Sequence, residues 1–219
     1  MKIGILWDLD GTLLDSLEDL KDSVNHTLRQ YGLPERSLDE IRRFVGNGAK
    51  RLIALSMPGK EDDPNVDEVL RDYQVYYTAH SQIKTKPYDG VLAALEALGK
   101  KYPMAVVSNK PDDAVKVLCK QYFPNVYAMG ESADCPRKPA PDMVFKAMKA
   151  LAVEACVYVG DSEVDVITAG NAGMPCLSVL WGFRDRKILE EAGSKYFCDD
   201  TAKLVQMLEA VIAEVYGIV

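Results

Sequence analysis

Short apolar runs bounded by turn residues recur at residues 3–7, 104–107, 126–129, 156–159 and 176–180, with a weaker one at 196–198. Runs of this length predict buried strands. From residue 90 onward they alternate with apolar positions at helical spacing: Val91, Leu92, Leu95 and Leu98, then Val115, Leu118, Cys119 and Tyr122. Val144, Phe145, Met148 and Leu151 follow, and last come Leu204, Met207, Leu208 and Val211. Strand then helix, repeated, predicts an α/β fold with a doubly wound parallel sheet covered on both faces.

Between the first run and the second this rhythm breaks, because the gap from Trp7 to Met104 far exceeds one crossover helix. Leu17, Leu20, Val24, Leu28 and Tyr31 keep helical spacing and stop at Gly32. Ser37-Leu38-Asp39-Glu40 and Asn65-Val66-Asp67-Glu68 have the form of helix starts. A small all-helical domain, residues 16–86, is therefore expected to interrupt a sheet domain made of 1–15 and 87–219. Its hinges fall at Asp15 and Ser16 on the way out and at 85–88 on return.

Composition narrows the function. With 219 residues, 48% hydrophobic and 27% charged, the chain has room for one core and a small inserted domain and little for disorder. A formal charge of −7 disfavours nucleic acid and anionic lipid, so an anionic ligand needs a local basic site. No apolar stretch reaches membrane-spanning length and the IGILW start is too short for a signal core, which makes the cytoplasm the expected location. Cys119, Cys135, Cys156, Cys176 and Cys198 are odd in number, scattered and free of C-x-x-C pairs, as reduced packing residues would be. His26 and His80 are too few and too separated for a two-histidine metal motif, and read as helix-surface or packing residues.

Parallel strands bring their carboxyl ends to one edge, where ligands of open α/β sheets bind. The loops there carry Asp8-Leu9-Asp10-Gly11-Thr12, Ser108-Asn109-Lys110, Arg137-Lys138-Pro139 and Gly160-Asp161-Ser162-Glu163-Val164-Asp165. Singly, these pieces read as turns, helix caps or a solvated lysine. An EF-hand is excluded because the glycine comes too early. Together they place carboxylates, a hydroxyl and an amine at one edge. Clustered carboxylates call for a cation, and oxygen ligands without His or Cys point to magnesium. Magnesium, Lys138 and Ser108 would form an anion pocket suited to a phosphoryl group, which an aspartate can attack in line.

At this point the sequence resembles the haloacid dehalogenase superfamily of aspartate-nucleophile phosphohydrolases. The resemblance rests on ILWDLDGT, VVSNK, the lysine of RKPAPD, and VYVGDSEVD followed by AGNAG. It implies a Rossmann-like core with a helical cap inserted after the first strand. It further implies Asp8 as nucleophile and Asp10 as the acid that protonates the leaving alcohol and then activates water. Magnesium would be held by the Asp8 carboxylate, the Asp10 backbone carbonyl and the Asp161 carboxylate, with Asp165 supporting that set. Ser108, Asn109 and Lys138 would bind the phosphoryl group, with Asn109 also helping to orient the substrate.

Asp10 argues against the dehalogenase and phosphonate-hydrolase branches, which lack an acid at that position. Phe44-Val45-Gly46-Asn47-Gly48-Ala49, Ser108-Asn109-Lys110-Pro111, Lys86-Pro87-Tyr88-Asp89-Gly90-Val91 and Trp181-Gly182-Phe183 look like the phosphoglycolate phosphatase branch. Sugar-phosphate phosphatases, pyrophosphatases and phosphomutases of the same fold are the alternatives. A non-enzymatic binding protein would have lost a motif residue, and none is missing. Gly46, Asn47 and Gly48 can bring backbone N–H groups to a small anion, with a helix from Ala49 aiming its positive end the same way. Lys50 and Arg51 read equally as added charge there or as solvated helix residues. Trp7 is bulkier than the aliphatic residue or Phe expected before the nucleophile. The expected partner is a small phosphorylated metabolite, with the chain a monomer or homodimer.

Overall fold

Strand β1 (Ile3–Trp7) is buried along its whole length, as five consecutive apolar or small residues require at the centre of a two-faced sheet. The computed structural model describes residues 1–217. After β1 come a two-residue strand β2 (Leu14–Asp15), helices α1 (Leu17–Gln30), α2 (Leu38–Phe44), α3 (Gly48–Ser56) and α4 (Val66–His80), and a second two-residue strand β3 (Lys86–Pro87). The chain continues through α5 (Val91–Gly99), β4 (Met104–Pro111), α6 (Asp112–Tyr122), β5 (Tyr127–Glu131), α7 (Asp142–Leu151) and β6 (Ala155–Gly160). Helix α8 (Glu163–Asn171), β7 (Cys176–Val179), α9 (Arg186–Glu191), β8 (Tyr196–Cys198) and α10 (Leu204–Tyr216) complete it.

Six strands form one parallel sheet in the order β5-β4-β1-β6-β7-β8, with Trp7 opposite Val106 on one side and Val159 on the other. Alternation along β1 sends Ile3, Ile5 and Trp7 to the face covered by α5, α6 and α10, and Leu6 to the face covered by α7, α8 and α9. Two points differ from the pattern read in the sequence. Strand β4 runs on to Pro111 and takes in Ser108, Asn109 and Lys110, with a register shift against β5 between Val107 and Pro111. These polar residues stay buried by facing a site, so hydrophobic alternation does not register them. Phe145 keeps the helical spacing of α7 but stands half exposed on its outer side.

Residues 17–77 pack around an apolar cluster of their own, centred on Val24, Leu28, Ile41, Ile53 and Val69, which Ala114 and Phe183 join from the sheet unit. Helix α2 begins with the expected capping box, Ser37 and Glu40 each bonding the other's backbone. The outgoing and returning chains run side by side as an antiparallel ribbon, Leu14 opposite Pro87 and Asp15 opposite Lys86. Asp19 braces the return: its buried carboxylate accepts from the N–H groups of Lys84 and Thr85 and from the Thr85 hydroxyl. All five cysteines are buried and unpaired. His26 and His80 both stack on the ring of Tyr76, at centroid distances of 3.6 and 3.8 Å. No helix among the described residues is long and apolar enough to cross a membrane.

Candidate active site

Asp8 leaves β1 directly and donates its N–H to Val159 O at 2.8 Å, which fixes the carboxylate at the carboxyl edge of the sheet. Three residues on, the loop must pass against Asp161. Gly11 makes this possible with φ +85°, and a Cβ there would fall on the Asp161 carboxylate. Asp161 follows β6 and is almost fully buried; its Oδ1 accepts from the Thr12 hydroxyl at 3.0 Å and its Oδ2 from the Phe183 N–H at 2.7 Å. Asp165, in the first turn of α8, closes a capping box with Ser162, accepting from its N–H at 3.0 Å and its hydroxyl at 2.6 Å.

Asp8, Asp161 and Asp165 each offer a carboxylate oxygen within 4.8 Å of the others. Lys138 meets them with its ammonium 2.7 Å from Asp165 Oδ1 and 2.9 Å from Asp8 Oδ1, and it donates to the Tyr158 hydroxyl at 3.0 Å. Asn109 holds Lys138 in place: its Oδ1 accepts from Lys138 N–H at 2.8 Å, and its Nδ2 donates to Lys138 O at 3.0 Å and Gly46 O at 3.1 Å. The Asn109 side chain is therefore committed to backbone partners. It clamps the lysine loop to the 46–48 turn, and leaves no side-chain donor for the phosphate role expected from sequence.

Three buried carboxylates against one ammonium leave an excess of negative charge. Burial, with Asp165 adding to it and Lys138 opposing, pushes Asp8 up to about 7. Burial and the charges of Asp165 and Asp8 hold Asp161 well above the ordinary carboxylate range. Burial works to lower Lys138, but Asp165 and Asp8 overcome it and hold the ammonium well above its usual value. Asp8 Oδ1 is buried without a well-formed hydrogen bond despite the nearby ammonium. An all-oxygen donor set with an unsatisfied buried oxygen and excess negative charge fits a hard divalent cation.

Above this cluster lies a cavity of about 280 Å³. Asp8, Asp10, Ser108, Asn109 and Lys110 line it from the sheet, and Leu20, Gly46, Gly48, Leu52, Tyr73 and Tyr77 from the helical segment. Asn47 does not line it; it sits at the N-cap of α3, which starts at Gly48 rather than Ala49. Gly46 and Gly48 adopt φ of +120° and +83°, and a Cβ on Gly48 would meet Glu131 Oε2 at 3.0 Å and Arg137 at 3.2 Å. Lys50 and Arg51 point elsewhere, pairing with Asp67 and Glu61, each at 2.7 Å.

Sequence reasoning missed Lys110. Its buried ammonium donates to both oxygens of Asp10, lies 4.7 Å from the centre of the Tyr77 ring, and is, among the described residues, the only lysine or arginine lining the cavity. The available signal was its spacing: two residues from Ser108 along one strand, it returns to the same face.

The family model for haloacid dehalogenase-like hydrolases matches residues 5–179. The chain is 32% identical over 213 residues to the phosphoglycolate phosphatase of Pseudomonas fluorescens (strain Pf0-1), covering 92% of this chain and 78% of that relative. It is 34% identical over 191 residues to the phosphoglycolate phosphatase of Rhodobacter capsulatus, covering 84% and 87%. Among solved structures, a candidate phosphoglycolate phosphatase from Lactobacillus delbrueckii subsp. bulgaricus superposes with a TM-score of 0.85 at 35% identity, covering 94% of this chain and 97% of that one.

Proposed function

The chain belongs to the haloacid dehalogenase-like hydrolases, and from that premise we propose that it is a magnesium-dependent phosphomonoester hydrolase working through an aspartyl-phosphate on Asp8. Residues 1–15 and 87–219 form the catalytic core in this reading and 16–86 the cap. The observation that carries it is the carboxylate cluster: Asp8, Asp161 and Asp165 lie together, Lys138 pairs with Asp8 and Asp165, and Asp8 opens with Asp10 onto the cavity.

A carboxylate oxygen of Asp8 attacks phosphorus as the bond to the leaving oxygen breaks, and Asp10 supplies the proton that makes this oxygen an alcohol. Asp10, now ionised, takes a proton from water; the water oxygen bonds to phosphorus, the bond to Asp8 breaks, and inorganic phosphate departs. Ser108 and Lys138 hold the phosphoryl oxygens. Magnesium, held by the Asp8 and Asp161 carboxylates and the Asp10 backbone carbonyl with Asp165 in support, would neutralise phosphoryl charge and orient the group for in-line attack. Asn109 acts by fixing Lys138.

The relatives' names make 2-phosphoglycolate the proposed substrate. Its carboxylate would meet the helix N-terminus that begins at Gly48 and the ammonium of Lys110. The test is phosphate release with MgCl₂ over 2-phosphoglycolate, hexose phosphates, pyrophosphate and p-nitrophenyl phosphate. The highest kcat/KM is expected for 2-phosphoglycolate. A sugar phosphate ahead of it would overturn the substrate, and no release from any compound would overturn the hydrolase reading.

A further inference from the structure

The run Trp181-Gly182-Phe183 and the arginine after it touch both the carboxylate cluster and the helical segment. Trp181 Nε1 donates to Thr12 O at 3.0 Å, and the Thr12 hydroxyl donates to Asp161 Oδ1 at 3.0 Å. Gly182 passes so close that a Cβ would overlap the Asp161 carboxylate. The Phe183 N–H donates to Asp161 Oδ2 at 2.7 Å, while its ring belongs to the apolar cluster of residues 17–77. Both oxygens of Asp161 are thus set by this strip or by a residue bonded to it.

Arg184 is 9% exposed and each of its three guanidinium nitrogens donates a hydrogen bond. Nε donates to Glu163 Oε2 at 2.8 Å, Nη1 to Arg42 O at 2.8 Å and Nη2 to Val45 O at 2.6 Å, with Arg43 O and Glu163 Oε1 at 3.5 Å. The carbonyls are those at the end of α2, which lack partners within the helix and carry the negative end of its dipole. A Cβ on Gly46 would stand 3.4 Å from Nη2, so the turn is fitted around the guanidinium.

We propose that residues 181–184 are a coupling strip in which Arg184 is a positioning residue: it seats the 42–48 segment on the core and ties that seating to the placement of Asp161. Coupling of this kind is reciprocal. Whatever fixes Asp161 tightens the seat, and loosening Arg184 loosens Asp161.

The test follows hydrogen exchange of the amides of 42–48 in the wild type, Arg184→Gln and Arg184→Lys, with and without MgCl₂ plus inorganic phosphate. No substrate is present, so the ion-free exchange is independent of the phosphatase reading, while the Mg²⁺ comparison rests on that reading's placement of the metal at Asp161. Exchange in Arg184→Gln is expected to be at least about tenfold faster, since several charge-assisted bonds are lost together. Arg184→Lys keeps the charge without the fork and falls between. Added ions slow exchange in the wild type and do so less in Arg184→Gln, whose calorimetric Mg²⁺ affinity drops several-fold, a change that a merely structural role would not produce. Unchanged exchange at 42–48 in a variant whose β6 amides stay protected would overturn the seating claim; faster exchange with unaltered Mg²⁺ affinity would overturn the coupling. Failure of the wild type to bind Mg²⁺ also overturns the coupling to a metal-holding Asp161, while the ion-free exchange still decides the seating. Should Arg184→Gln fail to fold, Glu163→Gln, which removes the charge that holds the guanidinium, must give the same changes in smaller measure, and their absence would overturn the proposal.

Discussion

Both carboxylate oxygens of Asp10 accept hydrogen bonds from Lys110 Nζ, at 2.8 and 2.7 Å, and Oδ1 also accepts from the Ser16 hydroxyl at 2.5 Å. The proposed acid is therefore held by the end of β4 and by the first residue of the helical segment at once. Replacing Lys110 by Met keeps the apolar stem and removes the charge. The expected result is a fall in kcat of about ten- to hundredfold on every phosphomonoester, part of what a positioned acid–base group contributes. Steady-state kinetics on two substrates check it, and wild-type kcat would remove Lys110 from any part in the reaction.

Asp8→Asn conserves volume and removes the proposed nucleophile. Phosphate release should fall at least about a thousandfold. In the ion-free protein at pH 7.5 the thermal midpoint should rise, because one of three crowded buried carboxylates becomes neutral. Turnover near the wild-type rate, with deamidation excluded by mass, would refute the aspartyl-phosphate.

The pH dependence of stability follows from the raised groups. Asp8 moves from 3.8 in the unfolded chain to about 7 in the folded one, and Asp161 moves in the same direction. Between those values the folded protein holds on Asp8 a proton that the unfolded chain has released, so the contribution of Asp8 to stability falls as pH rises from about 4 to about 7, and Asp161 acts in the same direction. A divalent cation between the carboxylates reverses this loss. Thermal melts with and without MgCl₂ should show a larger gain at pH 7.5 than at pH 5; an equal gain at both would separate the cation from these carboxylates.

Gly48 meets the core as well as the cavity. A side chain there would press on Glu131 and Arg137 and would have to adopt φ +83°. Gly48→Val should thus lower kcat/KM for p-nitrophenyl phosphate through poorer seating of the cap, and lower it further for 2-phosphoglycolate, whose carboxylate in the proposed reading also meets the helix N-terminus there. Equal losses on both would show that the turn does not read the leaving group.

Trp7 is fully buried and its indole N–H has no partner. Trp7→Phe gives up apolar area but also removes an unsatisfied donor, so stability should stay within about 1 kcal/mol of wild type, against a loss of about 3–5 kcal/mol for Trp7→Ala. Urea denaturation distinguishes the two.

What could be read from the sequence follows from where each contact partner is recorded. Apolar alternation reports burial, so the strands, the insertion after β1 and the strand-end placement of Asp8, Asp10, Ser108, Lys138 and Asp161 were all legible. A backbone carbonyl or amide leaves no trace in the string of letters. For that reason nothing in the sequence marks Arg184, whose partners include the carbonyls of Arg42 and Val45, or Asp19, which binds the amides of Lys84 and Thr85. The same cause hid the full commitment of the Asn109 side chain. Lys110 was obscured differently: beside Pro111 it reads as a solvated turn lysine, and only the extension of β4 turns it inward. Two-residue strands such as β2 and β3 are too short to show any period.

The pairing of Asp15 with Lys86 brings the two ends of a long excursion together as neighbours. Closing a loop costs entropy that grows only slowly with its length, and here the sheet sees the same short gap whatever hangs beyond it. The excursion therefore enters and leaves the sheet unit at one point, so that a change in its length need not displace the ends of the strands on either side of it.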